Sequence, residues 1–179
     1  MSEQDIEAGR RVIASVGTVI YRWDRRHLEV LVGERQNEPW KGYSMIAFGG
    51  GIDPDDFSVE SAARREALEE TGRGLEFLDG EFLHHYGPRS FHHRIYLDAQ
   101  NAIQVVRTEK EISEKYKFVA AMFCAECIGG EPRDNDEVKH VRFEDVLELA
   151  RMETKLAFEQ ALVLRDAYLR LVVFPNFSQ

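Results

Sequence analysis

Three glutamates recur at helical spacing within residues 58–72, which read SVESAARREALEETG. At about 100° per residue, Glu66, Glu69 and Glu70 lie next to one another on one side of a helix. Like charges at this spacing repel each other, and burial without a partner would raise their pKa values. A bound cation removes that conflict, and a ligand set made only of oxygen atoms favours Mg²⁺ or Mn²⁺.

The first turns of the same helix indicate which side faces the core. Val59, Ala62 and Ala63 share one face, and the three glutamates continue that face one heptad later. Carboxylates that point toward the core indicate a cation-binding site rather than a solvated surface. The alternative is an exposed acidic face on which Arg65 and Glu69 form an i,i+4 ion pair.

Strand patterns surround this helix and must position it. β-branched and apolar runs predict strands at 12–21, 28–32, 75–85, 90–97, 117–128 and 138–143, the first two forming a hairpin. Further helices are predicted at 143–150 and 155–172, and the polar stretch 99–115 is predicted to be a loop. Strands with inserted helices predict an α/β fold in which helices cover a mixed sheet.

Charge and length restrict the classes of partner and the number of domains. Asp and Glu total 32 against 23 Lys and Arg, which gives a net charge of −9. An acidic surface repels a phosphate backbone, so no nucleic-acid polymer is expected as a partner.

No apolar run approaches the ~20 residues that span a bilayer. Residues 1–10 form a polar leader without signal-peptide features, so we expect one cytoplasmic domain over 11–179 with no membrane partner.

Two cysteines, Cys124 and Cys127, form a lone C-x₂-C within a predicted strand. A zinc site normally needs two further ligands, and no matching pair follows in the sequence. We therefore expect thiols packed in a strand, with a metal or redox role as the alternative.

The flanks of the glutamate helix carry a family resemblance. The stretches GGIDPDD (50–56) and REALEETG (65–72) resemble the Nudix box, G-x₅-E-x₇-R-E-U-x-E-E-x-G-U with U aliphatic. Asp56 replaces the first glutamate, the spacer to Arg65 is one residue longer, and Arg73 takes the final aliphatic position. The resemblance implies an α/β/α sandwich on a mixed β-sheet and a metal-dependent diphosphatase.

The resemblance also implies roles for the residues of the box. Glu69 and Glu70 correspond to the primary metal ligands, Glu66 completes the set, and the Gly50 carbonyl is a further ligand. Arg65 corresponds to a residue that orients Glu69 rather than contacting substrate. The expected cofactor is Mg²⁺, with Mn²⁺ as the alternative.

The water-activating base varies within the family, and our candidate is Glu137. It lies in GEPRDNDEV (130–138), which resembles a later acidic segment of the family. The alternative is an ordinary surface turn of acids, and Glu111 and Glu114 are competing candidates for the base.

Substrate contacts are expected from two segments. Arg35, followed by Trp40, falls where the family has an R…W segment before its glycines. The stretch HHYGPRSFHHR (84–94) supplies Tyr86, Pro88 and Arg89, which suit base stacking and phosphate pairing. The alternative is two strands with alternating exposed histidines. Pro88 lies fifteen residues after Arg73, an offset similar to that of ADP-ribose diphosphatases.

These observations favour Mg²⁺-dependent hydrolysis of the diphosphate linkage in a nucleoside diphosphate linked to another moiety, such as ADP-ribose or a nucleotide sugar. Two alternatives stay open: a coenzyme A diphosphatase, which the long spacer and Asp56 favour, and a non-catalytic nucleotide-sensing domain of the same fold. The expected partner is a small-molecule nucleotide, and the resemblance leaves a homodimer open.

Overall fold

The structure is a computed structural model that describes residues 11–38, 40–86, 93–100, 102–107, 116–158 and 160–175. The strands are β1 (Arg11–Asp24), β2 (His27–Arg35), β3 (Ser44–Met45), β4 (Ala47–Phe48), β5 (Leu75–Phe77), β6 (Glu81–Tyr86), β7 (His93–Leu97), β8 (Ile103–Arg107), β9 (Tyr116–Gly130), β10 (Val138–Asp145) and β11 (Lys155–Leu156). The helices are α1 (Val59–Glu70), α2 (Val146–Arg151) and α3 (Gln160–Tyr168), and a π-helical segment, Leu169–Val173, follows α3. The predicted polar leader, 1–10, lies outside the described residues.

Strand β1 organises a mixed sheet. It pairs with β9 in parallel, from Arg11 opposite Tyr116 to Tyr21 opposite Glu126. It pairs antiparallel with β2 and with β4, and β2 in turn pairs antiparallel with β10. The sheet therefore places β4 beside β1 and the start of β10 beside the end of β2.

Alternate residues of the central strands face two different cores. Val19 and Val30 pack with residues of α2 and α3 in one cluster, whereas Ile20 and Leu31 pack with Ala67 of α1 in another. Because side chains of a strand alternate between its two faces, helices cover both sides of the sheet. This arrangement confirms the predicted α/β/α sandwich on a mixed sheet.

Helix α1 begins and ends where its capping residues require. Ser58 is the N-cap, its hydroxyl accepts from the Ser61 N–H, and the Ser61 hydroxyl accepts from the Ser58 N–H. Gly72 follows the helix with φ +74°, a conformation that glycine adopts at little cost. Ala62 and Ala63 are buried as predicted, but Val59, in the first turn of the helix, is 39% exposed.

Three predicted elements differ from the structure. The strand predicted over 75–85 is two strands, β5 (Leu75–Phe77) and β6 (Glu81–Tyr86). Within the stretch predicted as a loop, Ile103–Arg107 forms β8, which pairs antiparallel with β7. The last helix does not begin at Lys155, because Lys155 and Leu156 pair with β7 and Leu156 also pairs with β3. The partners of Lys155 and Leu156 are distant in sequence, which local periodicity does not reveal, whereas β8 forms a hairpin with β7 across residues 98–102.

The two cysteines lie on opposite faces of β9. Cys124 packs in the core beside α3, and Cys127 packs against the core beside α1. Burial raises the pKa of the Cys124 thiol to about 11. The two sulfur atoms therefore do not converge, which agrees with the expectation of packed thiols. None of the helices in the described part of the chain is long and apolar enough to cross a membrane.

A buried amide fixes the chain just before the glycine-rich loop. Between β3 and β4 the backbone crosses from β2 to β1, which interrupts its ladder of hydrogen bonds at Ile46. The Gln160 Oε1 accepts from the N–H groups of Ile46 (2.6 Å) and Ala47 (3.1 Å), and its Nε2 donates to the Ala47 carbonyl (3.1 Å). Gln160 is 4% exposed, so water does not reach these backbone groups. The side chain of Gln160 supplies the hydrogen bonds that the interrupted ladder lacks.

Replacement of Gln160 by Leu is expected to lower the free energy of unfolding by roughly 2–5 kcal/mol, because buried backbone groups lose their partners. Urea denaturation of the variant and the wild type gives the difference directly. The exposed Gln100→Leu serves as the control and should leave stability within ~0.5 kcal/mol of wild type. If the Gln160 variant is as stable as this control, water must provide the hydrogen bonds that the backbone groups of Ile46 and Ala47 lose.

Candidate active site

The site begins at the glycines that follow β4. A Cβ atom on Gly49 would lie 2.0 Å from the Val16 carbonyl oxygen, so only glycine allows this approach to β1. A Cβ atom on Gly50 would lie 2.5–2.8 Å from the carboxylate atoms of Glu66. The missing side chains therefore leave room for α1 carboxylates against the loop.

Glu70 is the buried carboxylate of the site. It is 6% exposed, and its Oε2 accepts from the Gly49 N–H at 2.5 Å. Burial raises the pKa of Glu70 to about 8, the Gly49 N–H opposes this shift, and the charge of Glu137 adds to it. The Oε1 atom forms no hydrogen bond within the described residues. A buried carboxylate oxygen without a donor fits a cation.

The raised pKa of Glu70 predicts how the stability of the metal-free protein depends on pH. The folded-state pKa lies above the ordinary value of 4.5, so this group's contribution is complete below pH 4.5. That contribution is lost as the pH rises toward 8. Thermal or urea denaturation with a chelator present should show stability falling across this window.

The variant Glu70→Gln should flatten most of that fall, because an amide does not ionise. The half-buried Glu66 has its own pKa raised by burial, so a residual slope is expected in the variant. Identical pH slopes for the variant and the wild type would contradict the burial of a titrating Glu70.

Arg65 ties together the acidic groups around the loop. Its Nε and Nη2 donate to both carboxylate oxygens of Asp56 at 3.0 and 2.9 Å, and this pairing lowers the pKa of Asp56. Its Nη1 donates to Glu66 at 2.8 Å and to Glu69 at 3.3 Å. Its Nη2 also reaches the Gly51 carbonyl at 3.2 Å. The guanidinium therefore pairs with three carboxylates, whose combined charge exceeds its own.

The three glutamates occupy different environments. The side chain of Glu69 is 42% exposed and pairs with Arg65 and Arg73, whereas that of Glu66 is 17% exposed. Glu70, at 6% exposure, is the most buried of the three. In the described part of the chain, no three carboxylate, imidazole or thiol groups already stand together as a metal cage. Holding an ion would require Glu66 and Glu69 to turn from Arg65 toward Glu70.

The Gly50 carbonyl, the fourth predicted ligand, already has a partner. It accepts from the Val16 N–H at 3.0 Å, which joins the glycine loop to β1. A carbonyl oxygen carries two lone pairs, so an additional ligand role would use the second one.

Residues from three distant segments meet near Glu70. The charge of Arg35, at the end of β2, lowers the pKa of Glu70, and that of Glu137, before β10, raises it. The Glu137 carbonyl accepts from the Gln36 N–H at 2.8 Å, which holds the two segments together. The sequence-predicted Arg35, Glu137 and box glutamates therefore share one site.

Two aromatic side chains lie close to Arg35. The rings of Trp40 and Phe158 are 4.2 Å apart, and the Arg35 guanidinium lies 5.2 Å from the centre of the Phe158 ring. Trp40 and Phe158 both have positive φ, 71° and 54°. The R…W pattern pointed to Trp40, but no local signal pointed to Phe158.

Several predicted contacts fall outside the part of the chain that the structure describes. Pro88, Arg89, Glu111 and Glu114 are among them. The backbone of Tyr86 ends β6 opposite Ala120, and its side chain is outside the description. These residues stay predictions.

Asn135 is a site residue that the sequence did not reveal. Its side-chain amide contacts the carbonyl oxygens of Glu69 and Glu70 at the end of α1. Asparagine in an acidic turn is ordinary turn chemistry, so the sequence indicated only a loop there.

Comparison with known proteins identifies the family. The chain matches the family model of the NUDIX domain over residues 12–167. Among curated proteins, none matches the chain. Solved structures match its fold.

The NUDIX domain of Shewanella oneidensis NrtR, solved with ADP ribose, is 21% identical with a TM-score of 0.65, covering 96% of this chain and all of that one. A MutT/nudix family protein from Enterococcus faecalis is 20% identical with a TM-score of 0.61, covering 92% of this chain and 63% of that one. A C. elegans Ap4A hydrolase is 17% identical with a TM-score of 0.55, covering 90% and 99%.

The chain spans 62% of the length of the longer Shewanella NrtR structure. Structural similarity at these identities shows the fold, and the family-model match covers most of the sequence, including the glycine loop, α1 and Glu137. The chain belongs to the Nudix hydrolases, a family of enzymes that act on pyrophosphate bonds.

Proposed function

We propose that this chain hydrolyses the diphosphate linkage of a nucleoside diphosphate joined to a second moiety, with ADP-ribose or a nucleotide sugar as substrate. The observation that carries the proposal is the convergence of buried Glu70, half-buried Glu66, Glu137 and Arg35 at the glycine loop. These acidic side chains could hold a metal ion, and the Arg35 guanidinium beside them could pair with a phosphate group. Such a site suits a diphosphate that is bound through a metal ion.

The proposed metal ligands are Glu66, Glu69 and Glu70, with the second lone pair of the Gly50 carbonyl as an additional donor. Their hard oxygen donors suit Mg²⁺, and Mn²⁺ would bind the same set. When bound, the ion would neutralise phosphate charge and acidify a water molecule. Arg65 would release Glu66 and Glu69 to the ion while keeping Asp56, with which it forms its bidentate pair.

The remaining roles belong to residues of this chain around the carboxylates. Glu137 is the proposed base that accepts a proton from the attacking water. Arg35 is the proposed partner of a substrate phosphate, and its cation–π contact with Phe158, at 5.2 Å from the ring centre, would help to hold the guanidinium in place. Tyr86, Pro88 and Arg89 are the proposed substrate contacts from the segment after β6.

The choice of a nucleoside diphosphate derivative draws on the comparisons. The NrtR domain, which covers 96% of this chain, was solved with ADP ribose. Another structure of that protein was solved with a 27mer DNA, but the net charge of −9 here favours a small nucleotide over a polymer. We extend a small nucleotide ligand to this chain and propose a single domain over 11–179.

A substrate panel tests the proposal. The full chain is incubated with Mg²⁺ and ADP-ribose, nucleotide sugars, coenzyme A, Ap4A or nucleoside triphosphates, and the products are identified by mass spectrometry. Isotope-labelled water identifies the phosphorus that is attacked. We expect AMP and ribose 5-phosphate from ADP-ribose, or a nucleoside monophosphate and a sugar phosphate.

Three results of the panel would overturn all or part of the proposal. Cleavage of coenzyme A alone would replace the substrate class. Tight binding of ADP-ribose without turnover at any metal concentration would make the chain a nucleotide sensor. Turnover that survives exhaustive chelation would contradict the metal role.

A further inference from the structure

The side chain of Asn135 bridges the two acidic segments of the site. Its Nδ2 donates to the carbonyl oxygens of Glu69 at 3.1 Å and Glu70 at 2.7 Å. Its Oδ1 accepts from the backbone N–H groups of Glu137 and Val138, both at 2.8 Å. One amide therefore binds the last residues of α1 and the residues that precede and begin β10.

Only a carboxamide meets all four requirements at this position. The carbonyl groups in the last turn of a helix lack intrahelical partners and carry partial negative charge, so they need a donor. The Glu137 and Val138 N–H groups need an acceptor. Aspartate offers acceptors but no donor, and alanine offers neither.

The backbone around Asn135 holds the side chain at this point. The Asn135 N–H donates to the Val138 carbonyl at 2.9 Å, which closes a tight turn. Two residues earlier, the Arg133 N–H donates to the Thr71 carbonyl at 3.0 Å. The turn is therefore attached to the end of α1 at two successive points.

Glu137 is also held from the opposite side. Its carbonyl accepts from the Gln36 N–H, and its own N–H is bound by Asn135. Its side chain and that of Glu70 are both acidic, so the two carboxylates repel each other when both are ionised. Fixed main-chain contacts keep these like charges near each other, and Asn135 supplies the contacts on the helix side.

We propose that Asn135 is a positioning residue that sets the location of Glu137 relative to Glu69 and Glu70. This inference rests on the proposed function, in which Glu137 is the base and the α1 glutamates hold the metal ion. Asn135 touches neither the metal nor the reacting atoms. It acts through the main chain of the residues that do.

A double-mutant cycle tests whether Asn135 acts through Glu137. Asn135→Ala is expected to lower kcat about 10–100-fold, the scale of losses from outer-shell partners, with little change in KM. Glu137→Gln is expected to lower kcat by roughly 10²–10⁴. The kcat of the double variant should lie within about threefold of that of Glu137→Gln. Asn135 can no longer position the Glu137 carboxylate, because that carboxylate is already absent.

Multiplied losses in the double variant would overturn the inference, since Asn135 would then act independently of Glu137. Glu137→Gln with wild-type kcat would also overturn it. Gln100→Ala, which removes an exposed turn amide, is the control and should leave kcat unchanged.

A second measurement does not depend on turnover. In the metal-free protein, amide hydrogen exchange at Glu137 and Val138 should accelerate at least tenfold in Asn135→Ala. Asn135→Asp keeps the acceptor, so it should retain their protection while exchange near the end of α1 accelerates. Unchanged exchange in Asn135→Ala would overturn the bridge. A wild type that turns over no substrate but shows these changes would refute the proposed function alone.

Discussion

Glu69→Gln and Glu70→Gln are each expected to lower kcat by roughly 10²–10⁴, the scale of a lost metal ligand or acid–base group. Glu70→Gln keeps a carbonyl oxygen that can accept from Gly49, so the local backbone should stay in place. Folding stability at neutral pH should be retained or increased, because a buried group that resists ionisation becomes neutral. Steady-state kinetics with saturating Mg²⁺ and urea denaturation measure the two effects separately.

Glu60→Gln is the matched control for this prediction. Glu60 lies on the same helix and is exposed, on the side away from the carboxylate site. Its replacement should leave kcat within about twofold of wild type. If Glu69→Gln and Glu70→Gln both behave like this control, the assignment of the metal ligands is wrong.

Gly50→Ala is expected to lower kcat about 10²-fold at limiting Mg²⁺, because a small misplacement of a catalytic group can cost that much. Its Cβ would lie 2.5–2.8 Å from the Glu66 carboxylate, so that flexible side chain must move away. Moving one side chain costs little folding energy. The melting temperature should therefore change only slightly while the apparent affinity for Mg²⁺ falls.

The neighbouring Gly51→Ala provides the control, since a Cβ atom there meets no atom within 4 Å. Both variants add one methyl group to the same loop. Metal titrations of kcat should separate them clearly. Equal effects of the two substitutions would indicate a general loss of loop flexibility rather than displacement of Glu66.

Local patterns were enough to predict the parts of the fold that depend on short-range order. The Ser58 cap, the helix up to Glu70 and the glycine at position 72 follow from capping and propensity. The alternation that divides Val19 from Ile20 between two cores follows from strand periodicity. Strand β8 was missed although it forms a local hairpin with β7, because its short apolar run lies within a stretch that is otherwise polar.

The arrangement of the site depended on contacts that the sequence does not display. The spacing of the glutamates predicted one shared face, yet Glu70 is buried and Glu69 is substantially exposed. Adjacent residues of a helix point in directions about 100° apart, so Glu69 and Glu70 reach different depths. Likewise, the bridge made by Asn135 exists only because β10 returns beside the end of α1.

The most direct test of the account is a crystal structure of the wild type with Mn²⁺, whose anomalous scattering locates the ion. We predict a peak beside Gly50, with carboxylate oxygens of Glu66, Glu69 and Glu70 at roughly 2.0–2.4 Å, and Arg65 still paired with Asp56. Glu66 and Glu69 remaining on Arg65, with no ion at Glu70 under saturating Mn²⁺, would contradict the central claim.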